Sequence, residues 1–322
     1  MTNFKKIGLT ALAGSLAVTA YAQAGSLSVG GTARMEYQST TTKNVTNDTG
    51  ASRTDSTSTD AISQNTSISF SGSGELDNGM NVSYFSLQTT GTNSYSQSVA
   101  LDMGDMGTVT MSNYNMAGIG TIQDMVPNGG EQPWDDLGTT HGGPADGVAS
   151  PHAGDRLGYK TTQGGAIISA SVNYEFASPT TSVAIQLPNL VEGLNIGAGL
   201  ASDQAAEDTE NDIETMYITY AFDGLGVSVG AQSTDINVQA ATSDIERMAY
   251  GISYAVNENL SLGYGVSTTE YEALANDEES KGIGASYTSG GMKLGVIHNK
   301  KDNLNGGTND MEMTELQLTF AF

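Results

Sequence analysis

Apolar side chains alternate with small or polar ones, with a period of two residues, along most of the chain. In residues 27–37 the alternating positions carry Leu, Val, Gly, Ala, Met and Tyr, and Ser, Gly, Thr, Arg and Glu stand between them. The same alternation recurs in residues 168–176, 248–256 and 260–266. This period is that of a β-strand with two unlike faces. Because no segment of comparable length has a helical period, the pattern predicts an all-β protein.

Short and long connections alternate between these segments along the chain. The short ones contain residues such as Asp77-Asn78-Gly79 or Asp223-Gly224, which tolerate the positive φ of tight turns. The long ones are polar, for example 38–61 and 115–154. We predict sixteen strands, near residues 26–37, 62–76, 80–91, 95–103, 108–114, 155–162, 166–176, 180–187, 194–202, 213–222, 225–235, 244–256, 259–271, 278–288, 291–301 and 311–322.

The composition indicates where the two strand faces point. Only 38% of residues are hydrophobic and 15% are charged, whereas a soluble domain has about 25% charged residues. A barrel of sixteen strands encloses water and needs no packed apolar core, so only one face of each strand has to be apolar. In lipid the sheet must close so that every backbone group is paired. The sequence therefore predicts a 16-stranded antiparallel transmembrane β-barrel, apolar outside and polar inside. Tyr and Phe near strand ends fit aromatic girdles, although β-propensity alone also favours them in strands.

The first 24 residues have the three parts of a secretory signal. Lys5 and Lys6 precede an apolar stretch at 7–18, and Ala22-Gln23-Ala24 forms a small-x-small cleavage site. The apolar stretch is short for a transmembrane helix, the alternative interpretation. We predict that residues 1–24 are cleaved and that 25–322 form one barrel domain.

Charge and residue types exclude several functions. The net charge of −24 opposes binding to nucleic acid. With no cysteine there are no thiolate metal sites, cysteine nucleophiles or disulfides. No hydrolase or zinc-protease motif is present, so we predict no enzyme and no cofactor. A hydrolase using His141 is a weak alternative, and loosely bound Ca²⁺ at the acidic loops is a further one.

The chain ends on an alternating segment, 316–322, whose last residue is Phe322. Because of this final segment, the opening segment 25–35 and the run Arg156-Leu157-Gly158-Tyr159, the chain resembles the Gram-negative general diffusion porins of the alphaproteobacterial type. The resemblance implies a homotrimer in the outer membrane that passes small hydrophilic solutes, with Phe322 read by the assembly machinery. The second outer loop, near 92–94, is short, whereas that family often uses it to latch onto a neighbouring subunit.

The third outer loop, residues 115–154, is the longest connection. The resemblance implies that it folds into the barrel and forms the constriction; a mobile external loop is the alternative. It carries acids and no Lys or Arg, and its candidate constriction residues are Asp124, Glu131, Asp135 and Asp136.

Strand phase places five basic residues on the lumen face, which we interpret as a pore wall: Arg34, Arg156, Lys160, Arg247 and Lys293. Charged side chains are costly in lipid, and this cost alone would place the five basic residues on the lumen face. The functional interpretation is a transverse field between this wall and the acidic loop. The sequence thus predicts a passive, cation-preferring channel. A substrate-specific porin and a secreted β-rich adhesin remain as alternatives.

Overall fold

The computed structural model describes residues 25–43, 45–46, 53–54, 57–90, 95–114, 116–132, 134, 137, 156–173, 180–206, 209–222, 224–238 and 244–322. The predicted signal peptide, residues 1–24, lies outside the described residues. So do two of the candidate constriction residues, Asp135 and Asp136.

Sixteen antiparallel strands close into a single barrel, which confirms the predicted fold class. Each strand pairs with its sequence neighbours, and β1 pairs with β16, where Gly31 and Phe322 exchange two backbone hydrogen bonds of 3.2 and 2.9 Å. None of the helices among the described residues is long and apolar enough to span a membrane. The strands are β1 Ser26–Lys43, β2 Thr57–Glu75, β3 Asn81–Thr89, β4 Tyr95–Asp102, β5 Thr108–Ser112, β6 Arg156–Gln163, β7 Ala166–Asn173, β8 Thr180–Val191, β9 Leu194–Ala206, β10 Thr209–Phe222, β11 Val227–Val238, β12 Ile245–Ala255, β13 Leu260–Tyr271, β14 Glu278–Ser289, β15 Met292–Asp302 and β16 Asp310–Ala321.

The first hairpin is longer than the sequence predicts. Strand β1 continues to Lys43 and β2 begins at Thr57, with Thr42 paired to Thr57, so much of the segment 38–61 is strand rather than loop. A short ladder, Val45–Thr46 with Arg53–Thr54, lies beyond it. These strand ends are rich in Ser and Thr on both faces. Because neither face is apolar, the sequence shows no alternation that would predict a strand there. Thr nevertheless favours extended backbone.

The outward face is apolar and exposed, as lipid contact requires. Residues such as Met35, Ile218 and Tyr250 are 51%, 51% and 55% exposed. Strand β3 has an ambiguous phase in the sequence because Tyr84 and Phe85 are adjacent. In the structure Tyr84 is 42% exposed on the outside, and Phe85 points inward to the ring of Tyr114, 6.2 Å away.

Candidate functional site: the lumen and the third loop

The part of the third loop that the structure describes, residues 116–132, lies along the inner face of the barrel; we call it the inner segment. It starts at the end of β5. The Gly118 N–H donates a 2.8 Å hydrogen bond to Ser169 Oγ of β7, and the Ile119 N–H donates a 3.1 Å bond to Ser182 Oγ of β8. Residues Gly118–Ile122 form a short 3₁₀ helix. The loop therefore enters the barrel as soon as it leaves the wall.

One glutamine side chain holds the middle of the inner segment. Gln232 of β11 is 1% exposed. Its Nε2 donates to the carbonyls of Ile122 and Gln123 at 2.8 and 2.9 Å, and its Oε1 accepts from the Met125 N–H at 3.0 Å. An amide side chain can donate and accept at once, so this single residue satisfies three backbone groups of the loop.

The far end of the inner segment reaches the opposite side of the barrel. Ser261 Oγ of β13 donates to the Gly129 carbonyl at 3.1 Å, and Asn299 Nδ2 of β15 donates to that of Gln132 at 3.3 Å. Gln317 Nε2 of β16 donates to the Glu131 carboxylate at 2.7 Å. The segment thus runs over the wall from β6 to β16.

Glycines of the wall form the bed on which the inner segment lies. A Cβ added at Gly263 would stand 2.0 Å from Gly129 N, and one at Gly251 would stand 2.3 Å from the Pro127 carbonyl oxygen. Both distances are far inside van der Waals contact, so no side chain fits there unless the loop moves. Equivalent contacts bring the loop against Gly158, Gly199 and Gly230. Glycine on the lumen face therefore does more than leave room for water.

Apolar residues of the loop and wall pack together inside the barrel. Ile119 and Ile122, 2% and 0% exposed, contact inward-facing Ile213 and Tyr217 of β10. The sequence pattern assigned apolar residues to the outward face only, so this cluster was missed. The signal that could have found it is strand β10, where Ile213 and Tyr217 share one face while Met216 and Ile218 occupy the other.

Trp134, the single tryptophan, fixes the end of the described loop. It is 2% exposed and packs with Val126 against Ala249 of β12. Its Nε1 donates a 2.6 Å hydrogen bond to Gln132 Oε1, which satisfies the indole N–H in this buried place. The loop is therefore anchored by packing as well as by backbone hydrogen bonds.

The five basic residues predicted to form the pore wall all lie on the inward face, in two different environments. Arg156 and Arg247 are 7% and 2% exposed, on wall strands that the inner segment covers. Lys160 and Lys293 are exposed near the short turns. Arg34 pairs with Glu36 of the same strand at 3.0 Å.

The two described candidate acids of the loop lie apart from each other. Asp124 is exposed on the inner segment. Glu131 reaches Gln317, which also donates to Glu315, a fully buried glutamate. The amide of Gln317 thus joins two carboxylates. Within the described ranges, no three Asp, Glu or His side chains converge as metal ligands.

A buried ion pair near the long-loop end was not predicted from the sequence. Lys301 Nζ of β15 lies 3.1 Å from Glu278 Oε1 of β14, and the side chains are 0% and 2% exposed. The other Glu278 oxygen accepts from the Asn305 N–H at 2.7 Å. Strand phase places both residues inward, but the cross-strand register that joins them is visible only in the structure.

The inner face of β1–β4 carries a group of serines on the short-turn side of the Arg34–Glu36 ion pair. Ser28 and Ser71 are 2.6 Å apart between their hydroxyl oxygens, and Ser26 and Ser73 are 3.1 Å apart. All four are exposed to the lumen. Since the inner segment lies on β6–β16, this serine-lined surface is the wall that faces it across the channel.

The family model that describes Gram-negative porins matches residues 8–322. The chain belongs to the Gram-negative porin family. Porins of this family are channel proteins of the outer membrane rather than enzymes; they are typically trimeric and pass small solutes. A search of curated proteins finds no match to the sequence.

Solved structures of a porin and of another outer membrane protein share the fold of this porin at low identity. A mutant of the Rh. blastica porin superposes with a TM-score of 0.63 at 16% identity, over 92% of this chain and all of that one. OmpT, an outer membrane protein of Vibrio cholerae, gives 0.65 at 10% identity, over 92% of this chain and 98% of that chain. At such identities the likeness shows the barrel architecture and not the solutes.

Proposed function

We propose that this porin is a passive, water-filled and cation-preferring channel whose narrowest part is bounded by the inner segment of the third loop. The observation that carries the proposal is the course of residues 116–132 along the inner wall, held by Ser169, Gln232 and Ser261. A segment fixed on one side of a tube reduces the cross-section at its own depth. Solutes then pass between it and the serine-lined wall.

Cation preference is supported by the distribution of acids. Four carboxylates lie in register on neighbouring strands at the long-loop end, on the outward face of the barrel: Glu214 is opposite Asp235, Asp235 opposite Glu246, and Glu246 opposite Glu270. All four are exposed. Asp124 is exposed on the inner segment, inside the barrel. With the net charge of −24, it and the outward-facing acids produce a negative field that attracts cations to this end of the channel.

Conductance in planar bilayers tests the channel, and a salt gradient tests its preference. We expect stepwise ion currents and a reversal potential of the sign set by K⁺ in a KCl gradient. Purified protein that never conducts would refute the channel. A reversal potential directed by Cl⁻ would refute the cation preference and leave the channel intact.

The absence of cysteine allows a direct test of the constriction. In Asp124→Cys the new thiol stands on the inner segment, and a bulky anionic thiol reagent should reduce the current. Met106→Cys, on a short turn and 58% exposed, is the control and should leave the current unchanged. If both variants respond equally, the inner segment does not bound the narrowest part.

A homotrimer is proposed from the outer surface of β3 and β4. Gln88 and Gln97 are exposed on the outward face, about six to eight residues from the short turns and hence within the apolar band of about 25 Å. Polar side chains that face lipid are costly, so contact with a second copy of the chain explains Gln88 and Gln97.

In the double variant Gln88→Leu/Gln97→Leu the trimer should dissociate at lower temperature. Tyr264→Leu on β13 is the control. A trimer equally stable in both variants would refute this interface.

The remaining proposals concern processing and ligands. They are cleavage of residues 1–24, recognition of Phe322 by the assembly machinery, and loosely bound Ca²⁺ at the outer acids. Mass spectrometry of the mature protein checks the first, because it gives the N-terminal residue.

A substrate-specific porin is the second candidate function, and the serine-lined wall is the observation that favours it.

A further inference from the structure

The serine-lined wall contains a concavity with the chemistry of a solute site. It measures about 430 Å³ and lies on the inner face of β1–β4, toward the short turns. Small-molecule sites in proteins usually enclose about 300–1,000 Å³, so it is large enough for a small solute. Its lining includes six serines: Ser26, Ser28, Ser71, Ser73, Ser83 and Ser98.

Two aromatic rings stand at one side of this concavity. Phe85 of β3 and Tyr114, which follows β5, are both half-buried, with ring centroids 6.2 Å apart and planes inclined by 56°. The Tyr114 hydroxyl lies 3.4 Å from Ser98 Oγ. An aromatic ring has a negative face, which attracts polarised C–H groups. Phe85 thus places an apolar ring in the lining of the concavity.

Charge is absent from the lining residues that the structure describes. Binding an anion there would need Arg or Lys, and binding a cation would need carboxylates. Serine hydroxyls instead both donate and accept and can rotate to suit the ligand. Within the pairs Ser28–Ser71 and Ser26–Ser73, each hydroxyl keeps further hydrogen-bonding capacity after bonding its neighbour.

We propose that this concavity is a weak binding site for uncharged polyhydroxylated solutes, namely monosaccharides and polyols. The serine hydroxyls exchange hydrogen bonds with those of the solute, and Phe85 and Tyr114 contact its C–H face. Binding is weak because a transported solute must also leave. The inference deepens the proposed channel and rests on it.

Titration of the ion current with glucose tests the site. Open-channel conductance without sugar is recorded first, so failure of the channel itself is seen separately. Glucose should reduce the current in a saturable way. Gluconate, which is similar in size but anionic, should require at least tenfold higher concentration for the same reduction. A glucose effect that never saturates, or one equal to that of gluconate, would overturn the site and leave the channel standing.

Two variants locate the effect. Phe85→Ala should raise the half-saturating glucose concentration about tenfold, the change expected for loss of roughly 1.4 kcal/mol. Ser28→Ala/Ser71→Ala tests the hydroxyls independently and should raise it as well. Tyr250→Ala, which removes an outward-facing aromatic ring that is 55% exposed and lies outside the concavity, is the control and should not change it. Unchanged sugar-free conductance shows that each variant is folded. Unaltered half-saturation in both lumen variants would refute the proposal.

Discussion

Single glycines set the distance between the loop and the wall. At Gly79 and Gly290 the backbone has φ of +80° and +61°, and the residue serves a turn. At Gly263 the reason is different, since a Cβ there would meet the backbone of Gly129 at 2.0 Å. The same residue type thus meets two separate requirements, one of conformation and one of space.

Gly263→Ala should therefore push the inner segment away from β13 and into the channel. We expect a lower single-channel conductance and a loss of about 1–3 kcal/mol in the free energy of unfolding, as for other overpacked sites. Gly295→Ala is the matched control: Gly295 also faces inward, but its added Cβ would be 3.8 Å from Gln317 Cβ. Equal conductance in the two variants would contradict the close packing of loop and wall.

The buried pair Lys301–Glu278 gives a second residue-scale prediction. Lys301→Met leaves a buried carboxylate without its cation, which costs about 3–5 kcal/mol. The double variant Lys301→Met/Glu278→Leu should regain most of this loss. Urea unfolding of detergent-solubilised protein measures both.

Lys281→Met provides the control for that experiment. Lys281 is 39% exposed and pairs with Glu279 at 3.1 Å, and exposed pairs contribute about 0–1 kcal/mol. A loss as large at Lys281 as at Lys301 would show that burial is not what makes the inner pair important.

At the scale of elements, the inner segment and the strands under it form one unit. The loop supplies Ile119 and Ile122, and the wall supplies Ile213, Tyr217 and the amide of Gln232. The loop does not satisfy its backbone groups alone, and neither side buries its apolar surface alone. The loop is therefore part of the folded barrel and not an appendage of it.

Gln232→Leu should loosen this unit. The substitution leaves the Ile122 and Gln123 carbonyls and the Met125 N–H without their partner, at about 1–3 kcal/mol for each group that water does not reach. We expect faster hydrogen exchange in residues 119–126 and unchanged exchange in strands remote from them. Gln163→Leu, at a short turn and exposed, is the control. Unchanged exchange in 119–126 would mean that Gln232 does not hold the loop.

The sequence predicted the strands that have an apolar face and missed features that depend on register. Strands such as β12 and β13 were found because Met248, Tyr250 and Ile252 repeat every second residue. The extension of β1 to Lys43 was missed because both of its faces are polar. The glycine bed, the Lys301–Glu278 pair and the serine-lined concavity all join residues from different strands. Their spacing along the chain carries no sign of that contact.

At the scale of the whole molecule, charge is segregated by position. The acids Glu214, Asp235, Glu246 and Glu270 form one row around the long-loop end. Arg156 and Arg247 are buried in the wall. Like charges on adjacent strands destabilise a sheet, so this outward-facing row has a cost in stability.

Cation selectivity should therefore weaken as salt rises. The Debye length falls from about 10 Å at 0.1 M to about 3 Å at 1 M, so the row of outward-facing acids is screened from an ion on the channel axis. We expect the K⁺/Cl⁻ permeability ratio from reversal potentials to decrease toward unity between these concentrations. A ratio independent of salt would assign selectivity to short-range contacts at the constriction.

The seam between β1 and β16 has a consequence for how the barrel forms. Its hydrogen bonds between Gly31 and Phe322 join opposite ends of the described chain, whereas every other pair joins strands that are consecutive along the chain. Loop-closure entropy makes such a contact slow to form. Until it forms, two strands expose unpaired N–H and C=O groups that recruit other chains. Closure of this seam therefore removes the open strand edges and, with them, this route to aggregation.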